Sequence, residues 1–329
     1  MIYYPRLVAD LGGTNIRLAI CPAKVSASQG VVLEHIESFR LDDYVSLSHI
    51  IDHYLSKTQV DVRACCFAIA GPINNGEVRM TNRDWVITTE GLREQLGIKH
   101  AALINDFAAI AQAVPFLSQS QLLNIGGGKA QRDAPVAVFG PGTGLGAAQL
   151  IPDHAGNYRV IATEGGHSGM APGNELEVEI FRYWQQQGAS ISREFFVCGK
   201  GIERLFTAIY ALENATEPPV LAAAEIQQKG CASDAASGDA TDRAAAQAMS
   251  TFCELLGNAA GDQVLSTGAR GGLVLAGGIL PKFSDFLLAS GFRERFETNA
   301  AMSAYLQQVP SRLVTEAQPG LIGAATYAL

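Results

Sequence analysis

The sequence predicts an α/β protein of two domains, and three observations carry that reading. The chain has 329 residues, about twice a typical domain, so two cores are expected. Short continuous apolar runs of strand length alternate with stretches of helical periodicity, the pattern of strand-helix-strand units. Two glycine-rich turns, one near residue 12 and one near residue 142, each join a pair of apolar strands, so each half of the chain opens with a hairpin. Apolar residues make up 48% and charged residues only 17%, which excludes a disordered chain and a coiled coil.

The elements follow in order. Residues 7–10 and 16–20 read as strands around the turn Leu11-Gly12-Gly13-Thr14-Asn15. Leu47, Ile50, Ile51, Tyr54 and Leu55 share one helix face, and residues 64–70 form a buried strand. Residues 101–104 make another apolar strand ending at Asn105-Asp106, and the Ala-rich stretch 107–114 favours a helix. The second half repeats the opening: strand 136–139, the turn Gly140-Pro141-Gly142-Thr143-Gly144, then the small-residue strand 145–151. Helices are expected at 175–187 and 202–212, a solvated Ala/Ser/Asp loop at 232–240, and a longer helix from Thr241 carrying Met249, Phe252, Leu256 and Ala259. The buried strand 273–276 leads to Gly277-Gly278, and a helix begun by Pro319 closes the chain.

The formal charge of -8 comes without any basic run, so nucleic acid and anionic membranes are disfavoured as partners. The first ten residues lack the apolar core of a secretory peptide, which points to the cytoplasm. Residues 134–152 form a long uncharged stretch, but three prolines and four glycines interrupt it, which does not suit a membrane span of about 20 residues. Six cysteines at 21, 65, 66, 198, 231 and 253 include no C-x-x-C pair, so neither a zinc site nor a disulfide framework is indicated.

Phosphate recognition needs consecutive backbone N–H groups around a concavity and close approach without a Cβ. Gly12-Gly13-Thr14 and Gly142-Thr143-Gly144 both supply this, although each also reads as a plain hairpin turn. Gly126-Gly127-Gly128-Lys129 lacks the upstream glycine and following hydroxyl of a P-loop, and the alternating glycines at 140, 142, 144 and 146 precede a strand rather than a Rossmann helix. Asp106 is the candidate base because it sits at the carboxyl end of a strand, yet either Asn105 or Asp106 equally suits the N-cap of the following helix. Glu164-Gly165-Gly166-His167 brings two polar side chains around a flexible glycine pair, able to meet a polyhydroxyl ligand or simply to turn at the surface. His49 and His53 have helical spacing but no accompanying Glu of the metalloprotease kind, and no metal ligands are assigned.

Five ordered motifs, Asp10-Leu11-Gly12-Gly13-Thr14-Asn15-Ile16-Arg17, Ile104-Asn105-Asp106-Phe107, Gly142-Thr143-Gly144-Leu145-Gly146, Glu164-Gly165-Gly166-His167 and Ala276-Gly277-Gly278-Ile279, resemble those of bacterial glucokinases. They are similar to the proteobacterial branch rather than the ROK branch, whose cysteine-rich zinc loop after the Glu-Gly-Gly-His motif is absent here. The resemblance implies the two-domain actin-like/hexokinase (ribonuclease H-like) ATPase fold with a central cleft. It implies a small domain of residues 1–107 plus 317–329 and a large domain of residues 108–316. It further implies phosphorylation of D-glucose at the 6-hydroxyl by ATP with Mg²⁺, in a cytoplasmic homodimer. Carried over by motif, Asp106 is the catalytic base, and Asn105, Asp106, Glu164, His167 and Glu194 hold the sugar. Ala9, Asp10, Leu11, Gly12, Gly13 and Thr14, with Gly142, Thr143, Gly144, Gly277 and Gly278, hold ATP. A base that mainly orients the attacking hydroxyl needs no more than an ordinary carboxyl pKa near 3.9.

Two departures stand out: Ser168-Gly169-Met170 replaces the apolar-acidic-aromatic run usual after the His, and Cys198-Gly199-Lys200-Gly201 replaces Ser-Gly-x-Gly. The first bears on which hexose is preferred. The second places a cation either near the nucleotide or in solvent. The alternatives to a glucokinase are a related hexose kinase and a sugar-sensing regulator on the same scaffold. A chaperone-like ATPase would share the glycine loops but has no use for Glu164, His167 and Glu194 together.

Overall fold

The computed structural model describes residues 4–24, 30–71, 73–80, 83–153, 156–214 and 216–329. The chain divides into two units: residues 1–122, 160–162 and 316–329 form the first, and residues 123–159 and 163–315 the second. The expected boundary between residues 107 and 108 falls inside a helix, Asp106–Ala113, that belongs whole to the first unit.

The first unit opens with β1 (Arg6–Leu11) and β2 (Asn15–Cys21), an antiparallel hairpin pairing Asp10 with Arg17. After β3 (Glu34–Arg40) come helix α1 (Leu47–Thr58) and β4 (Ala64–Ile69). A small hairpin of β5 (Glu77–Arg79) and β6 (Val86–Thr88) leads to α2 (Thr89–Leu96), β7 (His100–Asn105) and α3 (Asp106–Ala113). The sheet order is β3-β2-β1-β4-β7, with β1, β4 and β7 parallel. Side chains alternate across a strand, and β1 uses both faces. Leu7, Ala9 and Leu11 pack with Ile50, Ile51 and Tyr54 of α1. Val8 faces the other way, toward Ala109 of α3 and Leu321, Ala324 and Ala325 of the C-terminal helix. Burial on both faces explains why β4 reads as an unbroken apolar run. Helix α3 and the C-terminal helix touch through small residues: a Cβ on Gly323 would collide with the Ala109 carbonyl. Buried Arg6 donates to the carbonyls of Ala325 and Tyr327, both at 2.8 Å, and so satisfies the C-terminal end of that helix.

The second sheet begins with β8 (Leu122–Gly126), β9 (Val136–Pro141), β10 (Leu145–Pro152) and β11 (Tyr158–Thr163). Helices α4 (Glu175–Gln186), α5 (Arg193–Phe196), α6 (Gly199–Asn214), α7 (Ala223–Gly230) and α8 (Ala240–Thr267) follow. Then come β12 (Gly272–Leu275), α9 (Ser284–Ala289), α10 (Phe292–Glu297), α11 (Ser303–Gln307), β13 (Ser311–Val314) and α12 (Pro319–Thr326), the C-terminal helix already met. The strand order β11-β10-β9-β12-β13-β8 repeats the first sheet strand for strand and adds β8 at the end. The two glycine turns are therefore equivalent points of two related sheets. Helix α8 is buried along most of its length, with Ala, Gly and Leu on several faces, as suits a helix inside a core. Its N-cap is Asp239, whose Oδ1 accepts from Thr241 and Asp242 N–H. The expected 232–240 loop thus contributes a cap, and Ala235 within it is buried. All six cysteines are free, five of them buried. Among the described residues no helix is long and apolar enough to cross a membrane.

Candidate active site

In the first unit, the β1–β2 turn is held open by its own backbone. Gly12 N–H donates to the Asn15 carbonyl (3.0 Å), and the Thr14 carbonyl accepts from Leu41 N–H (2.9 Å). Asp10, Gly12, Gly13, Thr14, Asn15 and Arg17 line a hollow of about 270 Å³. Ala9 and Leu11 do not line it: their side chains lie in the core against α1, so only their backbone is available to a ligand. Asp10 stands at the floor with Arg17 Nη1 3.7 Å away. Burial pushes the Asp10 carboxyl above its ordinary value; Arg17 opposes that shift and the charge of Asp106 adds to it. A Cβ on Gly320, at the start of α12, would lie 2.9 Å from Asp10 Cγ, so α12 walls this carboxylate from behind. Neither Arg17 nor Gly320 is among the site residues named from the sequence. Arg17 was legible as the hairpin partner of Asp10, whereas nothing local marks Gly320.

Asn105 and Asp106 close β7 and start α3. Asn105 Oδ1 accepts from Phe107 and Ala108 N–H, both at 3.0 Å, which makes it the N-cap. Asp106 Oδ1 also accepts from Phe107 N–H at 2.8 Å. Burial raises the Asp106 carboxyl, and the Phe107 N–H and Asn105 partly offset it. An ordinary carboxyl would suffice for an orienting base, and this environment holds Asp106 above it.

In the second unit the polar residues converge on one backbone position. Leu145 directly follows the glycine turn; its N–H donates to Glu194 Oε2 at 2.7 Å. A Cβ on Gly166 would collide with the Leu145 carbonyl, so the 164–167 turn lies flat on the same residue. His167 then stands between two carboxylates, with Nδ1 3.9 Å from Glu194 Oε1 and Nε2 3.9 Å from Glu164 Oε2. Glu164 is 88% exposed and Glu194 32%, so the group presents acceptors outward. The turn itself is tight: Gly142 N–H donates to the Gly144 carbonyl (2.7 Å), and Gly199 N–H, heading α6, donates to the Gly142 carbonyl (3.0 Å). Gly277 has φ +90°, a conformation that favours glycine, and its missing Cβ lets it lie against Pro141. Gly142, Thr143, Gly144 and Gly277 thus gather beside Glu164, His167 and Glu194, while Gly278 has open space around its Cα. Lys200 is exposed and ion-paired with Glu203 one turn along α6. His49 and His53 stay on α1, where the His53 ring packs edge-on to Phe39 and Tyr44. Among the described residues no group of three His, Cys, Asp or Glu side chains is disposed to hold a metal ion.

A glucokinase family model matches residues 7–329. The glucokinase of Chromobacterium violaceum is 41% identical over 327 residues, covering 98% of this chain and 89% of that one. Among solved structures, a glucokinase from an Antarctic psychrotroph shares 37% identity with a TM-score of 0.86, over 98% of this chain and 97% of that chain. The glucokinase of Balamuthia mandrillaris in complex with glucose, 21% identical, superposes with a TM-score of 0.78 over 97% and 92% of the two chains and bears on the fold alone. The fold is the mixed α/β one of the hexokinase and actin-like ATPases, and the chain belongs to the glucokinase family.

Proposed function

We propose that the protein transfers the γ-phosphoryl group of ATP to the 6-hydroxyl of D-glucose, releasing glucose 6-phosphate and ADP at the start of glycolysis. The structural observation that carries this is the second-unit cluster: an imidazole with a carboxylate oxygen 3.9 Å from each of its ring nitrogens, one of those carboxylates accepting from the residue that follows a glycine turn. Glucose hydroxyls both donate and accept, and carboxylates can each accept from two neighbours. Glu164, His167 and Glu194 take the ring hydroxyls in this reading, with Asn105 and Asp106 as further sugar ligands.

Asp106 orients the 6-hydroxyl and accepts its proton as the oxygen bonds to the γ-phosphorus and the bond to the β-γ bridging oxygen breaks. Little charge develops on the attacking oxygen early in a loose transition state, so orientation matters more than basicity. The backbone N–H groups of the 12–14 and 142–144 turns receive phosphate oxygens, with Gly277 and Gly278 toward the nucleoside. Mg²⁺ bound with the nucleotide would neutralise phosphate charge. Asp10, a carboxylate in the hollow beside Gly12, Gly13 and Thr14, has the hard oxygen donors such an ion takes.

A coupled assay of ADP and glucose 6-phosphate across glucose, mannose, fructose and N-acetylglucosamine tests the proposal. Equal yields of both products with glucose, and the highest kcat/KM for that sugar, are expected. Sugar-independent ADP release would indicate an ATPase, and glucose binding without turnover a sensor. A cytoplasmic homodimer belongs to the same proposal on family resemblance, and sedimentation equilibrium measures the assembly.

A further inference from the structure

Glu164, His167 and Glu194 sit on two turns too short to hold their own geometry. Residues 165–167 make a single 3-10 turn, and α5 has four residues. Helices of this length are not stable alone, so their side chains are placed by whatever anchors them. The two turns are joined to each other by Arg193 N–H, which donates to the Ser168 carbonyl at 2.9 Å, and by the bridge between Gly169 and Ser192.

Both turns also meet α8, one by bonds to Asp262 and Gln263 and the other by packing against Gln263. The Arg193 side chain, 10% exposed, runs away from Glu194 into the core, where Nη1 donates to Gln263 Oε1 at 3.2 Å and Nη2 lies 3.6 Å from Asp262 Oδ2. Gln263 is buried, and a Cβ on Gly165 would lie 3.1 Å from that same Oε1. A single amide oxygen therefore touches the Glu-Gly-Gly-His turn on one side and the guanidinium beside Glu194 on the other. Arg193 Nε is buried without an acceptor, and burial lowers the guanidinium from its ordinary pKa while Asp262 opposes the shift. A buried charge with one donor unmet is a poor source of stability. Its chemistry suits fixing a register, because the planar fork can hold two partners of α8 at once.

We propose that Arg193 is a positioning residue for sugar binding: through Gln263 and Asp262 it locks α5, and so Glu194, in register with the turn carrying Glu164 and His167. The proposal rests on the reading of those three residues as sugar ligands. It adds a residue that no motif assigned and that touches no substrate itself.

Steady-state kinetics on the full chain test it, with glucose and ATP varied separately for Arg193→Met, Arg193→Lys, Gln263→Ala and the Arg193→Met/Gln263→Ala double variant. Arg193→Met should raise the glucose KM about tenfold, a part of the roughly 10²-fold that a full ångström of misplacement can cost. The ATP KM should stay within about twofold, the signature of a loss confined to one substrate. Arg193→Lys, which keeps a charge near Asp262, should recover part of the loss, and the double variant should be no worse than Arg193→Met. A lowered melting temperature with both KM values unmoved, or both KM values rising together, would overturn the proposal. Should Arg193→Met fail to fold, Gln263→Ala alone decides it by the same split in KM. No glucose turnover in the unaltered chain would overturn the functional reading itself. Turnover with an unmoved glucose KM in the variants overturns only the positioning role.

Discussion

Gly144→Ala should damage glucose binding more than nucleotide binding, although the residue lies in a turn assigned to phosphate. Gly144 does not have the positive φ that strains an alanine, so the turn itself tolerates the change. What does not tolerate it is Glu194. The added Cβ would stand 3.1 Å from Glu194 Cδ and closer still to Oε2. Carbon contacts prefer about 3.5–4.0 Å, so the carboxylate must retreat by roughly 0.4–0.9 Å. Taken along the bond it accepts from Leu145 N–H, that retreat would lengthen it from 2.7 Å to roughly 3.1–3.6 Å, at or beyond the limit of a good hydrogen bond. A hydrogen bond to a charged group contributes about 1.5–3 kcal/mol, equivalent to roughly 10- to 150-fold in an equilibrium constant. Varying glucose at saturating ATP should therefore show a glucose KM raised at least about tenfold, while the ATP KM changes by less than about threefold. In a Glu194→Gln background the same alanine should cost far less, because the carboxylate it displaces is already gone. A Gly144→Ala enzyme with an unchanged glucose KM and a raised ATP KM would refute the reasoning and confine this turn to the nucleotide.

Asp106→Ala should lower kcat by about 10²-fold or more, the scale of a positioned base, while calorimetry still detects glucose; near-normal kcat would leave Asp106 a helix-start residue only. Because burial raises the Asp106 carboxyl above its ordinary 3.8, the active carboxylate is lost at a higher pH than for an exposed Asp. The acidic limb of the kcat/KM profile should accordingly lie above that value, and a limb at or below it would contradict the assignment. The same shift has a stability consequence of fixed sign. A carboxyl whose folded pKa is raised favours the folded state below its unfolded pKa and loses that contribution as pH rises to the folded value. Asp106→Asn should thus flatten the fall in melting temperature with pH just above 3.8. Asn105→Ala should lower stability by about 0.5–2 kcal/mol in urea unfolding, the usual cost of an N-cap, with a loss near zero expected only if Asp106 takes over both N–H groups.

Legibility in the sequence followed the physics of each element. The β1–β2 and β9–β10 hairpins were readable because apolar strands flank a glycine turn, and α1 because Leu47, Ile50, Ile51 and Tyr54 bury one face. Strand β3 was not readable: in Glu-His-Ile-Glu-Ser-Phe-Arg only Phe39 is buried, and its partner β2, not its own pattern, makes it a strand. Helix α2 was missed because Leu92 is its one buried residue. Within the site, the glycine turns carried their own signal, but the contact of Glu194 with Leu145, 49 residues apart, has no trace in spacing; the family resemblance nominated that glutamate. Arg193 and Gln263, separated by 70 residues, had neither signal. The Asn105-Asp106 pair shows why the two readings of one motif need not compete. The first free N–H groups of α3 need acceptors, and Asn105 alone reaches both Phe107 and Ala108. The helix start is then satisfied without relying on Asp106, and the next residue can keep a carboxylate whose ionisation the fold does not favour. Burial that opposes the Asp106 charge is in keeping with the proposed role as base, while Asn105 does the capping.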